Sequence, residues 1–351
     1  MLAVIESHPV QYHAPVYRAL QTQFGIPVTA IYGTDAGVAV YHDREFGVSL
    51  AWDTDLLSGY DARFIRRTGS GRNSDSGEAR ARGLRALLKT LKPQAVMMLG
   101  YGSRFDREAL CAAWRTGSPL LFRGETTDHA VVRTRPSAWV RDTMLRALYR
   151  RMARLLYIGK HSLQHYRRLD VPEEKLIFAP YCVDTAPFAC DEVARVRLRG
   201  STRSELGLRG TDIAMLFSGK ISERKAPELL VQAAGQLPLH LRSRTVLCFL
   251  GDGQMKPALQ SAANQAPEVR VRFQGFRNQT QLSRYYHAAD ALVLPSRWGE
   301  TWGLVVNEAL HHGLPCLVSE AVGCAPDLIE PGRTGQVFET GSSQSLASAL
   351  L

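Results

Sequence analysis

ALVLPSRWGETWGLVVNEAL, residues 291–310, runs a short apolar strand into a loop and then into a helix. Ala291 to Leu294 is too short and too continuously apolar for anything but a strand buried on both faces. Pro295 ends it, and Gly299 and Gly303 punctuate the loop. Gly303 to His311 then reads as a helix, with Pro315 to Ser319 a further buried strand. Glu300 stands in the loop and Glu308 eight residues on, inside the helix. Thr301, Trp302, Gly303 and Leu304 would supply backbone amides at the helix start, where an anion is favoured. Glu300 suits sugar hydroxyls and Glu308 a ribose diol. Because Glu308 is followed by Ala309 and Leu310, it is expected to be partly buried, and a buried carboxylate needs partners.

The same alternation extends upstream. Ile213 to Ser218, Thr245 to Leu250 and Val269 to Phe273 read as strands, and Glu228 to Gly235 and Gln281 to Ala288 as helices. Earlier in the chain, Leu2 to Ser7, Val28 to Tyr32, Ala95 to Leu99, Leu120 to Arg123 and Leu155 to Ile158 read as strands. Between them, Ala14 to Gln23, Leu84 to Leu91, Arg107 to Trp114 and Ser137 to Met152 read as helices. Residues 66–83, rich in Gly, Ser and Arg, suggest an exposed loop. Phe178 to Arg209 reads as a connection plus an entry helix. Strand–helix alternation implies parallel sheets covered on both faces, and such sheets bind ligands at the carboxyl ends of their strands.

Those ends carry the candidate chemistry. Ser218, Gly219 and Lys220 close one strand, and Lys225 follows before a helix. A small-residue turn lets backbone approach a phosphate, and two lysines there would neutralise a diphosphate. Gly251, Asp252 and Gly253 close the next strand, and Gln274, Gly275 and Phe276 the one after.

Taken together, residues from about 213 to 338 resemble the donor domain of retaining glycosyltransferase family 4, the glycosyl transferases group 1, of the GT-B fold. The paired glutamates of that family match Glu300 and Glu308. Its Gly-Arg…Lys diphosphate element falls on Gly219, Lys220 and Lys225, with Lys in place of Arg at 220. Backbone near Phe276 would read the base. Tyr286 to Asp290, Gly313 to Pro315 with Ser319, and Val322 to Ile329 match further elements, Cys324 and Asp327 departing from the commonest pattern. The opening His8-Pro9-Val10-Gln11-Tyr12-His13-Ala14-Pro15 is similar to the first loop of a bacterial surface-polysaccharide subgroup. The family's catalytic-site His has no counterpart at Leu121 to Glu125, so His8, His13, Arg123 and Glu125 are the acceptor-side candidates.

The resemblance implies an α/β protein of two Rossmann-like doubly wound domains facing a cleft: 1–183 for the acceptor and 184–351 for the nucleotide sugar. It implies transfer from a nucleoside diphosphate sugar, uridine diphosphate being the commonest, to a glycan or lipid-linked acceptor in cell-surface polysaccharide synthesis. Glu300, Lys220 and Lys225 would be the catalytic groups, with retention of configuration and no obligatory metal or cofactor. Relatives continue beyond the helix expected at Ser345 to Leu351 with one that returns to the first domain. An epimerase or a non-catalytic nucleotide-sugar sensor would share the fold.

Composition narrows the partners. Of 351 residues, 45% are hydrophobic and 22% charged, as in ordinary globular proteins. The net charge of +10 is uneven: residues 1–180 hold 26 Lys and Arg against 17 Asp and Glu, the remainder 17 against 16. No nucleic-acid motif accompanies this excess, so nucleic acid is not expected as a partner. Arg133, Arg135, Arg141, Arg146, Arg150, Arg151 and Arg154 would instead meet an anionic membrane surface or a lipid diphosphate. Cys111, Cys182, Cys190, Cys248, Cys316 and Cys324 form no metal-binding spacing and read as buried thiols. No signal-like start or membrane-length apolar run is present, which favours a cytoplasmic setting.

Overall fold

Two parallel sheets are the frame of the computed structural model, which describes residues 1–43, 47–67, 79–129, 134–189 and 191–351. Contacts group the chain into one unit drawn from Met1–Asp184 and another containing Thr185–Leu351. In chain order the first holds β1 (Leu2–Glu6), α1 (Ala14–Thr22), β2 (Val28–Tyr32), β3 (Tyr41–Asp43), β4 (Val48–Leu50), β5 (Asp61–Phe64), α2 (Leu84–Leu91), β6 (Ala95–Met98), α3 (Arg104–Trp114), β7 (Leu120–Phe122), α4 (Arg135–Arg150), β8 (Arg154–Tyr157), α5 (Lys160–Arg168) and β9 (Leu176–Phe178). The second holds α6 (Glu192–Glu205), β10 (Ile213–Ser218), α7 (Glu228–Gly235), α8 (Leu239–Arg242), β11 (Thr245–Leu250), α9 (Lys256–Gln265), β12 (Arg270–Gly275), α10 (Ser283–Ala288), β13 (Ala291–Leu294), α11 (Leu304–His311), β14 (Cys316–Ser319), α12 (Ala325–Leu328), β15 (Gly335–Phe338) and α13 (Ser343–Ala349).

The first sheet runs β5-β2-β1-β6-β7-β8-β9 and the second β12-β11-β10-β13-β14-β15, with β3 and β4 pairing as a separate ribbon. All pairings within the two large sheets are parallel; Leu2 lies opposite both Val28 and Ala95, and Met215 opposite both Leu247 and Ala291. In each sheet the strand order reverses once, between β1 and β6 and between β10 and β13. Those reversals open a crevice at the carboxyl edge, where doubly wound sheets take ligands.

Side-chain alternation divides the cores. Ala3 and Ile5 pack with Val96 and Met98 against α2 and α3, whereas Val4 and Met97 pack on the other face with Tyr17 and Tyr32. In the second domain Met215, Phe217, Leu247, Phe249 and Val293 pack against Leu229, Leu230 and Ala233 of α7. Burying a side chain of this size is worth roughly 1.5–3 kcal/mol, so these central strands anchor the loops at their ends.

The apolar runs of β10, β11, β13, α2 and α7 carry the predicted limits. The differences lie where a polar signal governs. α3 begins at Arg104 because Ser103 and Asp106 form a reciprocal capping box. α4 starts two residues earlier than its apolar pattern and ends at Arg150. β5, β9 and β15 sit at sheet edges and are largely exposed; β5 and β15 lack an apolar run, and that of β9, Leu176 to Phe178, is only three residues long. α5 buries Ser162, His165 and Tyr166, a polar face invisible to hydrophobic periodicity. Of residues 66–83, 68–78 lie outside the described residues, as does Cys190. Cys111 and Cys182 are exposed rather than buried; Cys248, Cys316 and Cys324 are buried.

The arginines around α4 are not a free basic stripe. Arg141 meets Asp128 at 3.1 Å, Arg146 meets Asp170 at 3.4 Å, and Arg151 lies 4.2 Å over the Trp114 ring. Arg133 and the side chain of Arg135 lie outside the described residues. Among the described residues, no helix is long and apolar enough to cross a membrane.

Candidate functional site

β10 and β13 deliver their loops side by side. Gly219, at φ +145, and Gly251, at φ +146, close β10 and β11 in backbone conformations that side chains rarely adopt. A Cβ on Gly251 would stand 1.9 Å from the Gly219 carbonyl oxygen, so the two turns touch backbone to backbone. The Gly219 amide donates to Leu250 O at 2.9 Å, the Gly251 amide to Gly275 O at 2.9 Å, and the Ile221 amide to Asp252 O at 2.8 Å. The Gly253 amide donates to Asp252 Oδ1 at 2.9 Å. Phe276 follows directly on β12, half-buried.

Lys225 and Glu300 meet at this crevice. The Lys225 ammonium donates to Glu300 Oε2, and both side chains are buried, 9% and 11% exposed. Ser296 Oγ donates to the same oxygen at 3.0 Å, and Arg224 Nη1 approaches it at 3.4 Å. Burial alone would push the Glu300 carboxyl up, but the Lys225 charge and hydrogen bond, with Arg224 and Ser296, hold it below the ordinary range. Ser319 Oγ in turn donates to Ser296 O at 2.5 Å. Gly219 lies next to the lysine, a Cβ there being 4.0 Å from Nζ. Ser218 is buried at the end of β10, and Lys220 follows the glycine, half-buried. The paired lysine and glutamate were expected in separate roles; the fold makes them one ion pair, with Ser296 and Arg224 as supports that spacing alone did not single out.

The loop from Thr301 to Gly303 is fixed from below. The Gly323 amide donates to Glu300 O and the Cys324 amide to Trp302 O, each at 2.9 Å. A Cβ on Gly323 would lie 2.0 Å from Thr301 O. Trp302 Nε1 donates to Asn307 Oδ1 at 2.8 Å. α11 starts at Leu304, with Gly303 at φ +104 as its cap residue and no side-chain cap. The Val306 amide turns back to Gly303 O at 2.9 Å, and the Leu304 and Val305 amides stand at the helix start, where an anion is favoured.

Glu308, one turn into α11, is buried at 1% exposure. Tyr286 donates its hydroxyl to Glu308 Oε2 at 2.6 Å. His312 holds the same residue by its backbone: Nδ1 lies 2.6 Å from Glu308 O, so Nδ1 carries the proton and Nε2 accepts from Ser283 Oγ at 2.9 Å. The Ser283 hydroxyl oxygen accepts the Ala189 amide at 3.1 Å, and the Tyr286 ring stacks on His312 at 4.9 Å. A histidine at a helix end commonly complements the helix dipole as a cation. His312 is instead buried and neutral, its pKa pushed down to about 4 chiefly by burial.

A pH dependence follows. The unfolded chain protonates this imidazole near 6.5, the folded one only near 4, so between these values the unfolded state binds more protons. The contribution is complete above pH 6.5 and is lost as pH falls through 4. Thermal melts across this window should show wild type losing more stability than His312→Gln; parallel curves would contradict the assignment.

The acceptor-side candidates form a second group at the carboxyl edge of the first sheet. His13 Nδ1 bonds Glu6 Oε1 at 2.5 Å, and Ser7 Oγ bonds His8 Nδ1 at 2.8 Å. Burial lowers the His8 pKa, the Glu6 charge opposing. The Arg123 guanidinium lies 4.3 Å from the Tyr181 ring centre, and the Tyr181 hydroxyl donates to Glu125. Glu6 and Tyr181, absent from the sequence expectations, link His13, Arg123 and Glu125.

With this geometry in view, relatives can be placed. The sequence model of the family Glycosyl transferases group 1 matches residues 199–351. D-inositol 3-phosphate glycosyltransferase of Mycobacteroides abscessus is 36% identical over 154 residues, 43% of this chain and 34% of that protein. The aligned part thus spans about a third of the curated relative's length. Anabaena HepE, solved in complex with UDP and glucose, superposes with a TM-score of 0.67 at 17% identity, over 99% of this chain and 88% of its own. Sucrose-phosphate synthase of Thermosynechococcus elongatus gives a TM-score of 0.68 at 19% identity, over 99% of this chain and 88% of its own. At such identities the likeness is one of fold. The match to the glycosyl transferases group 1 model is confined to residues 199–351, in a chain whose two parallel-sheet domains have the GT-B fold.

Proposed function

We propose that the protein is a glycosyltransferase whose second domain binds a nucleoside diphosphate sugar at the β10/β13 reversal. The observation that carries this reading is the buried Lys225–Glu300 pair, set between the Gly219 turn and the uncapped start of α11. Lys225, Lys220 and the α11 amides would stabilise negative charge on the departing diphosphate, the dominant electrostatic demand of such a transfer. Glu300, already an acceptor in a buried setting, would take sugar hydroxyls. Glu308, oriented by Tyr286 and His312, would take the ribose diol, and backbone at Phe276 the base. UDP is the favoured nucleotide, the one named with HepE, and no obligatory metal or cofactor is invoked.

Transfer with retention to a glycan or lipid-linked acceptor in surface-polysaccharide synthesis is the reading that the motif pattern favours. Proton NMR of the product anomeric centre tests it: retention supports the reading and inversion contradicts it.

Peripheral attachment to the cytoplasmic face of a membrane is part of the proposal. On α4, Trp139, Val140 and Met144 are 69%, 60% and 54% exposed beside arginines, a composition suited to the headgroup boundary. Vesicles containing phosphatidylglycerol should float the wild type, and Trp139→Ala should bind several-fold less, since an aromatic anchor is worth on the order of 1 kcal/mol there. Equal flotation on neutral vesicles, or none at all, would contradict it.

A further inference from the structure

Arg224 stands beside the Lys225–Glu300 pair and is only partly engaged by it. A tight turn places it there: the Lys225 and Ala226 amides both donate to Ser222 O at 3.1 Å. The Arg224 carbonyl accepts the Arg297 amide at 2.8 Å, so the loops after β10 and β13 are joined at this point. Across that seam Nη1 alone reaches Gly299 O at 3.3 Å and Glu300 Oε2 at 3.4 Å. Charge-assisted bonds of this kind are usually about 2.7–2.9 Å long, so both contacts are loose. Gly299 leaves the space in which the arginine stem lies, a Cβ there being 2.9 Å from Arg224 Cδ.

Two features leave the guanidinium available to a ligand. Nε and Nη2 make no hydrogen bond among the described residues, and the side chain is 26% exposed. An arginine whose duty is an ion pair spends that edge on a carboxylate, two nitrogens to two oxygens. Arg167 does so with Glu173, at 2.6 and 3.0 Å. The same edge of Arg224 meets no protein acceptor. The charges also do not balance. Arg224 and Lys225 share one oxygen of one carboxylate, so the trio keeps an excess of one positive charge. Lys220 and Lys225, the other cations of this loop, are point charges without a fork.

We infer that Arg224 is a specificity-determining residue of the donor site, whose Nε–Nη2 edge takes two oxygens of the outer phosphate and so selects a diphosphate over a monophosphate. The inference rests on the proposed donor reading and adds to it a residue and the feature of the ligand that it reads. The outer phosphate supplies the acceptors that the protein leaves out, and its charge relieves two cations sharing one oxygen. Lysine neutralises that charge from any direction; the planar fork adds a geometry that a single nitrogen does not impose.

The test titrates wild type, Arg224→Gln and Arg224→Lys by calorimetry in metal-free buffer with UDP, UMP, pyrophosphate and inorganic phosphate. Wild type should prefer UDP to UMP and pyrophosphate to phosphate. Arg224→Gln should weaken UDP and pyrophosphate about 10- to 100-fold, the scale of one or two charge-assisted hydrogen bonds, and change UMP and phosphate little. Arg224→Lys keeps the charge without the fork and should recover only part of the loss. Equal weakening of UDP and UMP would mean a general disturbance of the loop, and full recovery in Arg224→Lys a point charge; either overturns the inference. So does a wild-type preference for diphosphates that survives intact in Arg224→Gln, an outcome that leaves the donor reading standing. A wild type with no preference for either diphosphate counts against the donor reading itself. Pyrophosphate, having no base, makes the comparison independent of which nucleotide the site takes.

Discussion

Lys225→Ala is expected to lower kcat by about 10²–10³, the cost of removing one preorganised charge-stabilising donor. The same change strands Glu300 in a buried place with Ser296 and a more distant Arg224 as its remaining partners. Breaking one side of a buried ion pair costs about 3–5 kcal/mol, so stability should fall as well. The two effects can be separated. Adding Glu300→Gln to Lys225→Ala removes the uncompensated charge and should restore most of the stability, while turnover stays low because the cation is still missing. Urea melts and turnover on the same preparations check this; wild-type turnover in Lys225→Ala would contradict the role assigned to the lysine.

Gly251→Ala should be among the most destabilising single changes in the second domain. Its Cβ would be placed 1.9 Å from the Gly219 carbonyl oxygen, and its φ of +146 is one that alanine avoids. Neither strain is relieved by a rotamer, because the clash is between backbone atoms at the buried carboxyl ends of β10 and β11. A loss above about 4 kcal/mol is the mark of such a backbone clash. Gly210→Ala is the control, with open space around its Cβ and an ordinary φ; it should change the urea midpoint little. A Gly251→Ala protein with a wild-type midpoint would mean that the two turns are not in contact.

How far the sequence carries depends on which force sets each feature. Central strands such as Ile213–Ser218 are buried on both faces, so hydrophobic continuity gives their limits directly. Edge strands such as Gly335–Phe338 are paired on one side and half-exposed; what defines them is a ladder to Cys316–Ser319 that no local window contains. The residues that gather at the candidate site were legible because glycines, lysines and glutamates stand at fixed offsets from strand ends. Their partners were not. Tyr286 reaches Glu308 from another helix, His312 turns its ring back onto the Glu308 carbonyl one turn earlier only because the ring is buried, and Glu6 meets His13 seven residues on. His312 also shows that a histidine at a helix end is read correctly only once its burial is known: exposed, it would serve the dipole as a cation, but buried it is a neutral relay between Ser283 and the Glu308 carbonyl.

The most direct test of the donor site is thermal stabilisation by nucleotides. A ligand that binds only the folded state adds about 2.7 kcal/mol at 100 times its Kd. Wild type is heated with UDP, GDP, ADP and TDP and with their sugar derivatives, alongside Glu308→Ala and Lys225→Ala. The account predicts a rise in Tm with one nucleotide series, UDP foremost, lost in Glu308→Ala and reduced in Lys225→Ala. No rise with any nucleotide, or a rise that survives both substitutions intact, would contradict it.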